Sequence, residues 1–190
     1  MTSIYKQALK DWVATLDVKA EKVIDIGGSQ DPIKGRTKSW EVEHYFIADL
    51  PDPHVNNQSA DILLNLDTDN ANILNIGKCD MLFCLEVFDY IRDPMKAFDN
   101  LSCLLRSGGS AWVTFPFVYP HHNPINDEGL RYTEPAIRYY GDKFAMPVHD
   151  IIYRRPVSNK LMEYYSEDMF RAAPNYDHRV IGYIVRFEKI

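Results

Sequence analysis

Two glycines and two acids stand where strands should end, and they are the residues of this sequence best placed to do chemistry. The run VIDIGGS sets Asp25, Gly27, Gly28 and Ser29 at the close of a β-branched stretch, and FIADL sets Asp49 at the close of another. Glycines at such a turn let backbone approach a ligand closely, and their exposed N–H groups can hold a polar or anionic group. An acid about 20 residues further on meets the ribose hydroxyls in nucleotide-binding α/β folds, because a carboxylate accepts two hydrogen bonds from a vicinal diol. Asp49 follows Gly28 at that spacing. The loop GGSQDP is neither GxGxxG nor GxxxxGK[ST], which disfavours a dinucleotide site and leaves no P-loop. Taken singly, the glycines also suit an ordinary turn and Asp49 a solvated strand end. Their pairing in register with two strands favours a binding site.

The surrounding elements must bring these strand ends together. An N-terminal helix is predicted over residues 1–18, with Ser3 as N-cap and Ile4, Tyr5, Ala8, Leu9, Trp12, Val13 and Leu16 on one face. KVIDIGG, HYFIADL, ADILLNL, CDMLFCLEVF and SAWVTFPF read as strands. Pro32 suits the first turn of a short helix after the first of them, although Gly35 weakens it. Between the fourth and fifth strands Asp93 can cap a helix whose first turn holds Pro94, with Met95, Phe98, Leu101, Leu104 and Leu105 as its apolar stripe. Arg106 suits the negative end of that helix, and Gly108 or Gly109 can supply a left-handed cap. YPHHNPIN then reads as loop, Glu134 to Tyr140 as helix, Val148 to Tyr153 as strand and RVIGYIVRFE as a closing strand. Alternating strands and helices predict an α/β fold, a doubly wound, mostly parallel sheet with helices on both faces. No repeat, low-complexity tract or linker divides the chain, so residues 1–190 are expected to form one domain.

Composition narrows the function classes. The 190 residues are 46% hydrophobic and 25% charged, with a formal net charge of −6, and 13% are aromatic. Nucleic-acid binders usually carry a basic footprint, which this balance does not supply. No apolar stretch approaches the roughly 20 residues of a membrane span, and no secretory signal is apparent, so a cytoplasmic protein with no membrane partner is expected. Cys79, Cys84 and Cys103 form no CxxC pair and are expected as buried, reduced thiols.

In order and spacing, VIDIGGSQDP, FIADL, DILLNLDT, CDMLFCLEVFDYIRDPMKAF and LLRSGGSAWVTFPF resemble the S-adenosylmethionine-dependent methyltransferases with a Rossmann-like fold. The closest likeness is to the small-molecule type whose fourth strand ends in a pattern like EVLEHV, here EVFDYI, Glu86 to Ile91. The resemblance implies a seven-stranded sheet with an antiparallel C-terminal strand, a cofactor-binding half over residues 22–117 and a substrate-side half over 118–190. It implies S-adenosylmethionine as cofactor, with Asp25, Gly27, Gly28 and Ser29 along its methionine and ribose part. Asp49 would take the ribose hydroxyls beside Leu50, and Asn65, Leu66 or Asp67 would touch adenine. Leu85 and Glu86 would lie near the sulfonium. Two positions depart from the family: its third loop glycine is replaced around Ser29 to Asp31, and its usual His is Tyr90.

Methyl transfer asks mainly for in-line alignment, plus a base where the nucleophile carries a proton. The acceptor, expected to be a small or sugar-like molecule, would meet residues after the fourth and fifth strands. Tyr90, Phe115, Phe117, Tyr119, Asn126, Asp127 and Tyr132 are candidates, and the aromatic excess collects in this region. His121 and His122 could act as general base because imidazole titrates near neutrality, and Arg131 could clamp an acidic group or form a structural clip. His121, His122 and Asp127 match no closed zinc pattern, so no metal is expected. The alternatives are a nucleic-acid methyltransferase, against which the net charge of −6 and the absence of a [DN]PP[YF] run after the fourth strand both count, and a non-catalytic cofactor-binding scaffold. The oligomeric state is left open.

Overall fold

The computed structural model describes residues 4–53, 58–68, 73–118, 129–155 and 180–190. Its elements are α1 (Ile4–Val13), β1 (Asp17–Ile26), β2 (Ser39–Asp49), β3 (Ile62–Leu63), α2 (Ile73–Ile76), β4 (Cys79–Cys84), α3 (Pro94–Leu104), β5 (Leu105–Pro116), α4 (Glu134–Lys143), β6 (Val148–Arg154) and β7 (Gly182–Glu188). One seven-stranded sheet runs in the order β3-β2-β1-β4-β5-β7-β6. Strands β1 to β5 pair in parallel, whereas β7 is antiparallel to both β5 and β6. The expected mostly parallel sheet with a reversed C-terminal strand is therefore observed. Strand order reverses between β1 and β4, which makes their carboxyl ends the crevice where ligands bind in such sheets.

Alternation along the strands sends side chains to two differently covered faces. Leu82 and Cys84 of β4, Ala111, Val113 and Phe115 of β5, and Val185 and Phe187 of β7 pack with Ala97, Phe98, Leu101 and Leu104 of α3 and Ile137 of α4. Phe83 and Ile184 face the other way, onto Leu9 and Val13 of α1 and onto Ile33. Helix α3 forms as its punctuation predicts: the Asp93 side chain accepts from Lys96 N at 3.0 Å, with Pro94 in the first turn.

Several boundaries move. Helix α1 ends at Val13 rather than residue 18, and Leu16 O already accepts from Lys38 N and Ser39 N as the chain enters β1 beside β2. Residues 27–38 form turns rather than the short helix expected at Pro32, with Gly35 at φ +87°. The third strand contracts to two residues, and just before it the Asp61 carboxylate accepts from Ile47 N of β2. Helix α3 stops at Leu104, with Leu105 already extended at φ −84°, ψ 140°. Arg106 therefore pairs with Asp80 at 2.5 Å instead of sitting in a last helical turn, and Gly108, at φ +75°, lies where the β4–β5 register shifts. Phe115 and Tyr132, expected at an acceptor pocket, are buried instead. Their rings meet at 5.2 Å in a cluster with Phe88 and Phe98, because Phe115 points to the α3 face of β5. The three cysteines are free, Cys79 and Cys84 buried and Cys103 partly so, and burial pushes the Cys79 thiol up to about 12.

Candidate functional site

At the end of β1 the backbone makes a turn that tolerates no side chain. Gly27 has φ +77°, donates its N–H to Ala48 O at 2.8 Å, and a Cβ on it would lie 2.5 Å from Val87 Cγ2. A Cβ on Gly28 would come within 2.6 Å of Asp25 Oδ2. Asp25 itself is buried under the loop. Its Oδ2 accepts from Ile33 N and from the Tyr45 hydroxyl, both at 2.7 Å. Burial raises its pKa to about 6 despite these two hydrogen bonds, and the Tyr45 hydroxyl, desolvated beside it, is pushed well above the usual phenol range. Asp25 is thus the fastener that closes residues 27–33 over the strand end.

Asp49 is fixed from the neighbouring strand. Its Oδ2 accepts from Ser29 N at 3.1 Å and its Oδ1 from Leu50 N at 2.8 Å. Each oxygen keeps further acceptor capacity. Asp49 borders a cleft of about 150 Å³ with apolar walls from Ile26, Leu50, Leu64, Leu66 and Val87, and with Glu86, Asp89 and Tyr90 at its rim. A second hollow, about 100 Å³, lies between α1 and the 27–38 loop and is lined by Asp25, Leu85, Lys10 and Arg36 among others. Gly27, Gln30, Glu86 and Lys6 border both hollows.

Glu86 lies two residues past the end of β4 and adopts φ +59°, the left-handed region that a side chain makes costly. Its N–H donates to Thr114 Oγ1 at 2.7 Å, and the Thr114 hydroxyl donates back to Glu86 Oε1 at 3.2 Å. Arg154, only 3% exposed, donates from Nη1 to the same oxygen at 2.5 Å.

The structure brings together Asp25, Gly27, Asp49, Leu50, Leu66, Leu85, Glu86 and Tyr90 around the two hollows. Gly28 and Ser29 support the turn from behind. Asn65 and Asp67 border neither hollow: Asn65 Oδ1 accepts from Asp67 N, while the Asp67 carboxylate accepts from Arg92 N and Asp93 N at the entry to α3. Arg131, half-buried, lies outside both as well. His121 and His122, with Tyr119, Asn126 and Asp127, fall outside the described residues. Sequence reasoning missed Lys6, Gln30, Thr114 and Arg154. Arg154 left a readable trace, a charge at the carboxyl end of the apolar-leaning strand VHDIIYR. Lys6 left none, since only the docking of α1 across the strand ends brings it there.

Solved structures with the same architecture define the class. The chain matches a Haloferax volcanii protein solved in complex with the Trm112 methyltransferase activator, with TM-score 0.65 and 14% identity over 97% of this chain and 89% of that one. It matches an S-adenosylmethionine-dependent methyltransferase from Mesorhizobium loti with TM-score 0.60 and 9% identity, over 97% and 98% of the two chains. A third match is the 1,6-didemethyltoxoflavin-N1-methyltransferase of Burkholderia thailandensis, with 1,6-didemethyltoxoflavin and S-adenosylhomocysteine bound, at TM-score 0.59 and 12% identity over 98% and 78%. The fold is that of the Rossmann-like S-adenosylmethionine-dependent methyltransferases. No family model matches the sequence, and no curated protein matches it. No helix among the described residues is long and apolar enough to cross a membrane.

Proposed function

We propose that the chain is a cytoplasmic S-adenosylmethionine-dependent methyltransferase acting on a small-molecule acceptor. The observation that carries this reading is the convergence of Asp49, Gly27 and Glu86 on one crevice at the β1/β4 reversal. The residues present fit the cofactor. Asp49, held by two backbone N–H groups, has acceptor capacity for a ribose diol. Leu50, Leu64 and Leu66 offer an apolar seat for adenine. Lys6, Lys10 and Arg36 stand with the acids Asp25, Asp31 and Glu86 around the second hollow, a lining of both signs suited to an amino-acid moiety that carries both an ammonium and a carboxylate. Gly27 lets the loop close tightly on Val87, where a side chain would not fit.

When bound, S-adenosylmethionine supplies a methyl group on a sulfonium that is already a good leaving group. The chain's own task is then alignment, together with removal of a proton where the acceptor carries one. Tyr90 borders the cofactor cleft on the acceptor side; His121 or His122 as base and Arg131 as an acid-binding side chain remain the proposed complement. The net charge of −6 and the acids Asp25, Asp49 and Glu86 around the hollows favour a small molecule over a polyanion. Titration calorimetry with S-adenosylmethionine and S-adenosylhomocysteine tests the assignment. Saturable binding of both is expected, weakened about tenfold or more in Asp49→Ala, the effect of losing a charge-assisted hydrogen bond. Folded protein that binds neither at millimolar concentration overturns it.

A further inference from the structure

Arg154 lies at the carboxyl end of β6, and Glu86 follows the carboxyl end of β4. Both strands run in the same direction, but β5 and β7 stand between them. The guanidinium therefore reaches across the rim of the sheet to the Glu86 carboxylate, with Nη1 2.5 Å from Oε1 and Nη2 3.5 Å from Oε2. Thr114 of β5 completes the arrangement, accepting from Glu86 N and donating to Oε1. Groups from two other strands, β5 and β6, thus fix one side chain.

This arrangement is expensive as pure scaffolding. A buried ion pair is often no more stabilising than apolar residues of the same volume. A glutamate at φ +59° adds backbone strain on top. The desolvation falls on Arg154 and the strain on Glu86, which is among the residues bordering both hollows, at the junction where a ligand filling them must pass. A strained, ligand-facing carboxylate held by a buried guanidinium points to use of that carboxylate rather than to packing.

We infer that Arg154 is a positioning residue that fixes the direction and charge of the Glu86 carboxylate against the cationic centre of the methyl donor. The inference rests on the proposed cofactor, and it adds a partner on β6 that sets how the site distinguishes a charged sulfur from a neutral one. S-adenosylmethionine and S-adenosylhomocysteine differ by one methyl group and the sulfonium charge, so the ratio of their affinities reads the electrostatics at that point. Lys6 and Lys10 from α1, Asp25 and Asp49 at the ends of β1 and β2, Asp31 and Arg36 of the 27–38 loop, and Asp89 after β4 also face the hollows. Their titration is common to the native protein and an Arg154 variant and cancels in the comparison.

Removing the guanidinium takes a positive charge from beside a part-buried carboxylate, and a carboxylate so changed takes up a proton at higher pH. The test measures both affinities by calorimetry from about pH 6 to about pH 8.5 in the native protein, Arg154→Met and Glu86→Gln/Arg154→Met. In Arg154→Met the preference for S-adenosylmethionine is expected to grow with pH relative to native by about threefold or more. The double variant, which has neither charge, should lose that added pH dependence. Thr114→Val should shift the ratio in the same sense by less, and it decides the matter should Arg154→Met fail to fold. If both ligands bind and the ratio in Arg154→Met (or, failing that variant, Thr114→Val) follows the native pH profile, Arg154 is structural only and the inference falls. Absence of binding to the native protein instead defeats the cofactor assignment.

Discussion

The two faces of the sheet are built from alternate residues of the same strands, yet they are covered differently. Toward α3 and α4, Phe88, Phe98, Phe115, Tyr132 and Phe187 pack ring against ring, with Phe98 meeting Phe115 at 6.0 Å and Phe187 at 5.5 Å. Toward α1, the buried set is smaller, and Trp12, Trp40 and Trp112 stay half-buried around it. Trp12 meets Trp112 edge-on at 4.9 Å, and Arg186 lies over Trp112. The same α1 face holds the buried Asp25 and the loop that folds over it. Apolar burial is concentrated on one face, and this leaves the other able to accommodate a polar fastener and irregular backbone beside the ligand crevice.

The largest effect should come from opening the aromatic face. Phe98→Ala removes a fully buried ring that touches Phe88, Phe115, Tyr140, Phe144 and Phe187. A loss of about 3–5 kcal/mol is expected by urea denaturation. A loss below about 1 kcal/mol would mean that the face repacks and that the contrast between the faces is overstated.

An intermediate effect belongs to Asp25. Its folded pKa of about 6 lies above the ordinary value of 3.8, so the folded state binds the extra proton between those values. Its contribution to stability therefore rises as pH falls from 6 to 4, and burial of the ionised form opposes folding above 6. Asp25→Asn should flatten this part of the stability profile, by about 1–3 kcal/mol across the window. Asp17, Asp80 and Glu134, whose carboxyls lie below their usual range through bonds to Lys38, Lys22 N and Tyr153 respectively, act in the opposite sense. Their stabilisation is lost only as pH falls through those lowered values. Identical melting profiles for the native protein and Asp25→Asn between pH 4 and 7 would show that Asp25 does not titrate as a buried group.

The smallest effect should come from Trp40→Ala on the α1 face. Trp40 is half-buried and meets Tyr45 edge-on at 5.4 Å, so a cost of about 1 kcal/mol is expected. A cost like that of Phe98→Ala would erase the distinction.

Local chemistry was readable where a residue acts on its own neighbourhood. Asp93 and Pro94 announced the start of α3, and Gly27 and Asp49 marked strand ends that the sheet then placed side by side. Lengths were harder to read. Strand β1 begins at Asp17 because nine of its residues find parallel partners in β2, a gain that no window of sequence displays. The end of α3 followed a distant partner, Asp80, rather than the glycines that resemble a cap. Asp25 looked like a ligand contact from its place at the end of β1, while its carboxylate accepts from Ile33 N and Tyr45. The link between Glu86 and Arg154 depends on strand order, which local patterning does not specify.

That strand order also ties the crevice to the far edge of the sheet. Among the described residues β6 joins the sheet only through β7, which must insert between β5 and β6. The Arg154–Glu86 contact closes a separation of 68 residues, a slow event compared with local turns and helices. The Arg154–Glu86 bond needs β7 paired with both β5 and β6, so a lesion at that far edge of the sheet also reaches the charge balance of the crevice.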